Sequence, residues 1–287
     1  MSTLKEVPMT AMMTPDQAMA EALAEEMRRD ATVITFGEGV ATKGYKLVEE
    51  FGPSRVRNTP LAEGIIAGTA AGAAATGLRP VIDLLFAPFL TFAMDELVNS
   101  AGKLRYLSGG QFKFPLVAMT RTGGGWGVGA QHNHNVESWF VNTPGEVPDG
   151  EHVVPIGKAA VRREGTDVSL ISYAKTVNTC AAAAEALAEQ GVSAEVIDLR
   201  SLKPLDEATI LASVRKTGRA IVVHEAAAPC GVGAEVSAIL AEKAFSALKA
   251  PVVRLTGPDA PAAASFPLES AFAPGVDAIV DAAKRLI

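Results

Sequence analysis

Apolar positions recur along this chain in two rhythms, and each predicts its own kind of element. Over 14–30, TPDQAMAEALAEEMRRD, the residues Ala20, Leu23 and Met27 fall on one helical stripe. Thr14 is placed to cap this helix, Pro15 suits its first turn, and Gln17 can close a capping box. The run 31–39, ATVITFGEG, is β-branched and ends in glycine, so it predicts a buried strand that delivers Glu38 to its C-terminal end. A long apolar stretch then lies between Arg57 and Arg79, with Glu63 as its single charge. Thr59 and Pro60 predict the start of a helix there. Gly64, Gly68 and Gly72 recur every four residues, which gives that helix a face without side chains. Each interior glycine costs roughly 0.5–1 kcal/mol relative to alanine, so the spacing predicts a close approach of another backbone, as across a subunit interface. RPVIDLLF (79–86) predicts a strand and 88–110 a helix, with Phe89, Phe92, Leu97 and Leu104 inward and Gly109-Gly110 as its stop. FPLVAMTR (114–121) predicts the next strand, and a short helix is expected near 135–142.

Around 142–152 the composition shifts to Pro, Gly and acidic residues, the mark of a linker. Beyond it the two rhythms alternate. Strands are expected over 167–173, 194–200, 220–225 and 251–257, and helices over 178–191, 206–216, 233–248 and 276–286. Alternation of this kind implies a parallel sheet covered on both faces, hence two α/β domains.

Composition narrows the function classes. The chain has 287 residues, 48% hydrophobic and 20% charged, with a net charge of −6 and no basic tract, which argues against nucleic acid as a partner. Cys180 and Cys230 form neither a disulfide framework nor a CxxC site. MSTLKEVPMTAMM lacks the basic region and apolar core of a signal peptide, and no apolar run is long enough to span a bilayer. A cytoplasmic protein without a membrane partner is expected.

Two stretches carry candidate chemistry. Glu63, at the start of an apolar helix, is expected to be largely desolvated; the plainer reading is a first-turn acid that favours the helix dipole. The loop TGGGWGVGAQHNHN follows a strand, but its G-x-G-x-G spacing (Gly125, Gly127, Gly129) is not the dinucleotide fingerprint. Its glycines are expected to bring backbone close to a ligand and to place Gln131, His132 and His134. Histidines two apart, without an acidic or cysteine cluster, do not suit zinc.

Together these segments resemble the β subunit of the thiamine-diphosphate-dependent 2-oxo acid dehydrogenases, the pyruvate, branched-chain 2-oxo acid and acetoin enzymes. The matching motifs are FGEGV, FGPSRVRNTPLAEGIIAG, GAAATGLRPVID, KLRYLSGG and GAQHNHNVESWF, then PIGKA, VIDLRSLKPLD, KTGRAIVVHEA and GVGAEV. The resemblance implies an α/β fold of two doubly wound domains. A transketolase-like pyrimidine-binding domain over 1–145, shortened, is followed by a linker at 146–158 and a transketolase C-terminal-like domain over 159–287. It implies thiamine diphosphate as cofactor, with the pyrimidine side held here. Glu63 matches the glutamate that hydrogen-bonds a ring nitrogen of the aminopyrimidine and promotes its imino form. Phe89 matches the residue that stacks on that ring, Leu61 and Leu85 line the pocket, and Glu38 is a further acid near it. His132 matches the active-site histidine, a proton donor or carbonyl-orienting group. His152 and His224 are expected to be structural.

Two departures from the family pattern stand out. The loop GEGVATKGYKL is short, and the chain passes from VESWFVNTPG directly to EVPDGEHVVPIGKA, where relatives carry a further segment on the order of a βαβ unit. The first sheet should therefore lose strands and present an edge. The GDG…N motif that holds magnesium and diphosphate is absent, which implies an α subunit, in an assembly of two α and two β subunits. A lipoyl acyltransferase core is a further expected partner. The resemblance implies an oxidoreductase component that decarboxylates or cleaves its substrate and passes the acyl unit to a lipoyl group. The alternative is a non-catalytic assembly or regulatory homologue with an incomplete site.

Overall fold

A computed structural model describes residues 14–42, 46–123, 127–141, 155–260 and 265–287. One compact unit comprises the described residues within Met1–Leu85 and Leu90–Thr120, and a second those within Phe86–Phe89 and Arg121–Ile287.

The first unit opens with α1 (Pro15–Arg29), where Thr14 accepts from the Gln17 N–H and the Gln17 side chain accepts from the Thr14 N–H. Its strands are β1 (Val33–Gly37), β2 (Val56–Asn58), β3 (Arg79–Phe86) and β4 (Val117–Arg121), ordered β2-β1-β3-β4. Both partners of β1 run parallel to it. Successive side chains point to opposite faces of a strand. Val33 and Val81 thus pack on one face with Leu23 and Met27 of α1 and with Leu47 of α2 (Leu47–Phe51). Ile34 and Ile82 pack on the other with Ile66, Ala67 and Ala70 of α3 (Glu63–Ala75). Among the described residues the strand β4 lies at the sheet edge.

The expected helix over 88–110 is not continuous. Ala87–Ala93 is a tight 3-10 turn, Asp95–Ala101 widens so that Gly102 N–H bonds to Leu97 O at 2.9 Å, and α4 is only Leu104–Leu107. Phe92 and Leu104 consequently face outward, against the inward placement that the periodicity suggests. The cause lies in α3: a Cβ on Gly64 would come within 3.0 Å of Phe92 O, and one on Gly68 within 3.2 Å of Glu96 Cγ. Two of the three spaced glycines therefore admit a neighbouring segment of the same unit, while Gly72 meets nothing. Thr59 and Pro60 do not start the helix either; Ala62 is the cap position, and Thr59 N–H instead donates to Gly37 O.

In the second unit the sheet order is β5-β7-β6-β8-β9, formed by β5 (Ala160–Arg163), β6 (Val168–Ser172), β7 (Ala194–Asp198), β8 (Ala220–Ala227) and β9 (Val253–Gly257). Strand β5 is antiparallel to β7, so the sheet is mixed rather than wholly parallel. The short run AVRR, without alternation, gives little signal in sequence. Both faces are covered. Val168, Leu170, Val196, Ile221 and Val223 pack with α6 (Thr176–Ala188) and α10 (Val276–Leu286). Ile171, Ile197, Ala220 and Val222 pack with α7 (Glu207–Thr217) and α8 (Val232–Lys243). Each fully buried Leu or Ile contributes roughly 1.5–3 kcal/mol by leaving water. Also in this unit are α5 (Glu137–Val141) and α9 (Phe266–Ser270). The predicted linker lies largely outside the described residues, as do Gly125 and His152.

Candidate active site

Glu38, just past the end of β1, meets Asp83 within β3. Both are buried, and Glu38 N–H donates to Asp83 O at 3.1 Å. Gly37 permits this closeness, because a Cβ there would lie 2.2 Å from Asp83 O, on a backbone with φ of 150°. Asp83 Oδ1 in turn accepts from the Leu85 N–H at 2.9 Å. Leu85 sits in the left-handed region, φ 61°, which a leucine rarely adopts. The carboxylate of Asp83 thus helps hold a strained turn directly before Phe86 and Phe89. Sequence reading singles out Leu85 and Glu38 but not Asp83, which looks there like one polar residue in a strand.

Glu63 is the first residue of α3, where its charge favours the helix dipole. Its side chain is half-buried, less desolvated than its apolar neighbours suggest. Leu61 and Ile65 flank it, each 74% exposed. The hydroxyl oxygen of Thr59 is buried without a hydrogen-bond partner among the described residues, which leaves an open polar group in the segment leading to Glu63.

The second unit brings Phe89 and His132 together, with Phe86, a residue that the sequence pattern does not single out. The His132 ring lies 5.1 Å from the rings of both Phe86 and Phe89, at 86° and 80°. Phe86 and Phe89 are 6.3 Å apart at 82°. Edge-to-face contacts of this kind fix an imidazole's orientation. The loop around His132 is tethered by Glu269 of α9, which accepts from Gly127 N–H at 3.1 Å and from Asn133 Nδ2 at 2.9 Å. The Gly127 backbone therefore meets a carboxylate of its own chain, not an open ligand space. No local signal links residues so far apart in sequence.

His224 fills the structural role expected of it. Its Nδ1 lies 3.0 Å from Ala226 O, and its Nε2 accepts from Gly233 N–H at 3.2 Å. Burial holds its pKa below the usual value. It stacks on Tyr173, whose hydroxyl donates to Glu137 at 2.7 Å. Burial, reinforced by the Glu137 carboxylate, pushes that phenol above its ordinary range.

In the first unit, a carboxylate acceptor among apolar side chains and an open hydroxyl suit a ring with amino donors; in the second, taken by itself, a set of aromatic rings suits a flat, neutral heteroaromatic ring. None of the singled-out residues is a lysine or arginine that would pair with a diphosphate. Each set, taken by itself, is of a kind that suits the pyrimidine part of thiamine diphosphate.

Comparison with known proteins identifies the family of the chain. Residues 11–194 match the pyrimidine binding domain of transketolase, and residues 157–279 match the transketolase C-terminal domain. The chain is 38% identical over 322 residues to the pyruvate dehydrogenase E1 component subunit beta-2, mitochondrial, of Oryza sativa subsp. japonica, covering 95% of this chain and 86% of that one. It is 34% identical over 338 residues to the acetoin:2,6-dichlorophenolindophenol oxidoreductase subunit beta of Bacillus subtilis (strain 168), covering 97% and 98%. Both alignments are longer than the 287 residues present, so these relatives carry residues that this chain lacks. A split gene transketolase, solved as an inactive beta4 tetramer, shares the fold with a TM-score of 0.77 at 22% identity, over 94% of this chain and 97% of that one. The two transketolase domains in this order, with relatives of this identity over nearly the whole chain, make it a member of the β-subunit family of the thiamine-diphosphate-dependent 2-oxo acid and acetoin dehydrogenases.

Proposed function

We propose that this chain is the pyrimidine-side half of a thiamine-diphosphate-dependent 2-oxo acid or acetoin dehydrogenase, completed by an α subunit in an assembly of two α and two β subunits. The observation that carries the reading is Glu63 at the start of α3 between two exposed apolar side chains, Leu61 and Ile65. A helix apolar all round belongs in an interior. The exposure of Ile65 at its first turn therefore supports a partner surface that covers Glu63 and dries its surroundings.

On this reading thiamine diphosphate, held on its pyrimidine side by Glu63, Phe89, Leu61 and Leu85, would supply the nucleophilic carbon that the chemistry of 2-oxo acids and acetoin requires. Glu63 accepts a hydrogen bond from the aminopyrimidine ring and thereby holds a proton at its nitrogen, which the desolvated setting strengthens. Phe89 stacks on the ring, Leu61 and Leu85 exclude water from it, and Glu38 adds negative charge near it. His132, oriented by Phe86 and Phe89, donates a proton to the substrate oxygen or orients it. Diphosphate and magnesium fall to the α subunit. The acyl unit passes to a lipoyl group, with an acyltransferase core as a further partner, in the cytoplasm. The division 1–145, 146–158 and 159–287 belongs to the same reading.

A second reading, an assembly or regulatory homologue without turnover, is favoured by one observation: among the described residues the first sheet has four strands and ends at β4. Calorimetric titration of thiamine diphosphate with magnesium into the co-purified complex separates the two. Saturable binding is expected; a clean assembly without binding would leave the homologue reading alone.

A further inference from the structure

Helix α9 inverts the ordinary partition of side chains. Among its described side chains Pro267, Leu268 and Ser270 are exposed, and only Glu269 is buried, at 4% exposure. A leucine outside and a carboxylate inside need a reason, because burying a carboxylate is costly unless donors meet it. Two donors do. Gly127 N–H donates to Oε2 at 3.1 Å, and Asn133 Nδ2 donates to Oε1 at 2.9 Å. Hydrogen bonds to an ionised acceptor are roughly twice as strong as neutral ones. Asn133 is itself buried, so the contact is kept from water.

The two donors stand on either side of His132 in sequence, and Asn133 is its direct neighbour. One carboxylate from a distant part of the chain therefore closes the loop 127–133 at both ends. Within the loop His132 N–H donates to Gly129 O at 3.3 Å, while the rings of Phe86 and Phe89 pack on the imidazole. The rings set how the imidazole is turned, and the clamp sets where its backbone stands. A displacement of ~1 Å at a reacting group can cost ~100-fold in rate. We infer that Glu269 is a positioning residue for His132, holding its loop at both ends so that the imidazole meets the substrate oxygen in one place. The inference rests on the role proposed above for His132.

The test uses the full chain co-purified with its α subunit and saturated with thiamine diphosphate and magnesium. Pyruvate and acetoin serve as substrates, with dichlorophenolindophenol as electron acceptor. Glu269→Ala should lower kcat by ~10- to 100-fold and leave KM and cofactor affinity within ~3-fold, as a misplaced catalytic group does. Glu269→Gln should keep kcat within ~5-fold of wild type. Its oxygen can accept from Gly127, and its amide can donate to Asn133 Oδ1, which is buried without a partner among the described residues. In a His132→Ala background Glu269→Ala should cost less than ~3-fold, since residues that act as a unit are not additive. Amide hydrogen exchange reads the clamp apart from activity: Glu269→Ala should quicken exchange across 127–134 by ~10-fold or more and leave β6 as it is. Asn133→Ala, which releases one of the two donors, serves where Glu269→Ala fails to fold and should act in the same direction. Unchanged exchange in the loop, an equal loss with and without His132, or a loss carried by KM alone would each overturn the inference. A wild-type complex that turns over neither substrate would overturn the enzyme reading, and the inference with it.

Discussion

Strands β6 and β4 are both five residues long, yet they sit in opposite surroundings. Every residue of β6 is buried, and its side chains feed alternately into the two apolar layers of the second unit. No residue of β4 is fully buried, and Val117 is exposed. The helices repeat the contrast. Helix α6 buries Cys180, Ala183, Ala184 and Leu187 completely, deeply enough to push the Cys180 thiol up to about 12. Helix α3 is at least as apolar but leaves Ile65 outside. The second unit closes both faces of its sheet within itself, although Phe245 and Leu268 remain exposed away from the sheet core. The first keeps Leu61 and Ile65 exposed on either side of Glu63, which is the surface that the proposed α subunit would cover.

The contrast can be broken by substitution. The largest effect should come from Ile171→Ala, which empties a fully buried position and should cost ~2–5 kcal/mol. Leu61→Ser at an exposed position should leave the isolated chain within ~0.5 kcal/mol, yet weaken association with the α subunit by about 10-fold, the loss of a modest interface hot spot. Thermal unfolding checks the first and sedimentation the second. Similar destabilisation by both variants would dissolve the distinction between the units.

Next is Glu63→Ala. In the assembled complex it should lower turnover by about 100-fold or more, as loss of a proton-transfer group does. Steady-state kinetics at saturating cofactor gives the answer, and near-normal turnover removes Glu63 from the mechanism.

Gly68→Leu sharpens the comparison within the first unit. Because its Cβ would approach Glu96 Cγ at 3.2 Å, the variant should lose stability, ~1–3 kcal/mol for overpacking, before it loses partners. An unchanged melting temperature with a failed assembly would return the glycine face to the subunit interface.

The smallest effect concerns pH. His224 is buried with both ring nitrogens engaged, and burial holds its folded pKa below the reference value of 6.5. Below that reference value the unfolded chain takes up the proton first, so stability is full above it and declines as pH falls toward the folded value. Protonation would also place a hydrogen on Nε2, where Gly233 N–H already points. His224→Gln should flatten this part of the acid-side loss in melting temperature. An equal slope in wild type and variant would assign it to other groups.

Much of the fold is legible in sequence because it rests on local rules. The capping residues Thr14 and Gln17 fix the start of α1, the run 79–86 is a strand throughout its length, and the alternating second half yields a sheet covered on both faces. The position of Glu63 near a helix start is legible from the apolar composition that follows it, although the cap falls at Ala62 and not at Thr59. Contacts between distant residues decided the rest. The segment 88–110 has helical periodicity, but the smooth face of α3 draws its backbone close and breaks the periodicity into three pieces. Residues Asp83, Phe86 and Glu269 gain their roles only when β1 meets β3 and when α9 reaches the loop of His132. The antiparallel pairing of β5 belongs to the same class, because a strand's direction is set by its neighbour and not by its own residues. Sequence by itself determined the elements and the kinds of side chain available for chemistry; tertiary structure decided which of them stand together, because that depends on packing between segments far apart along the chain.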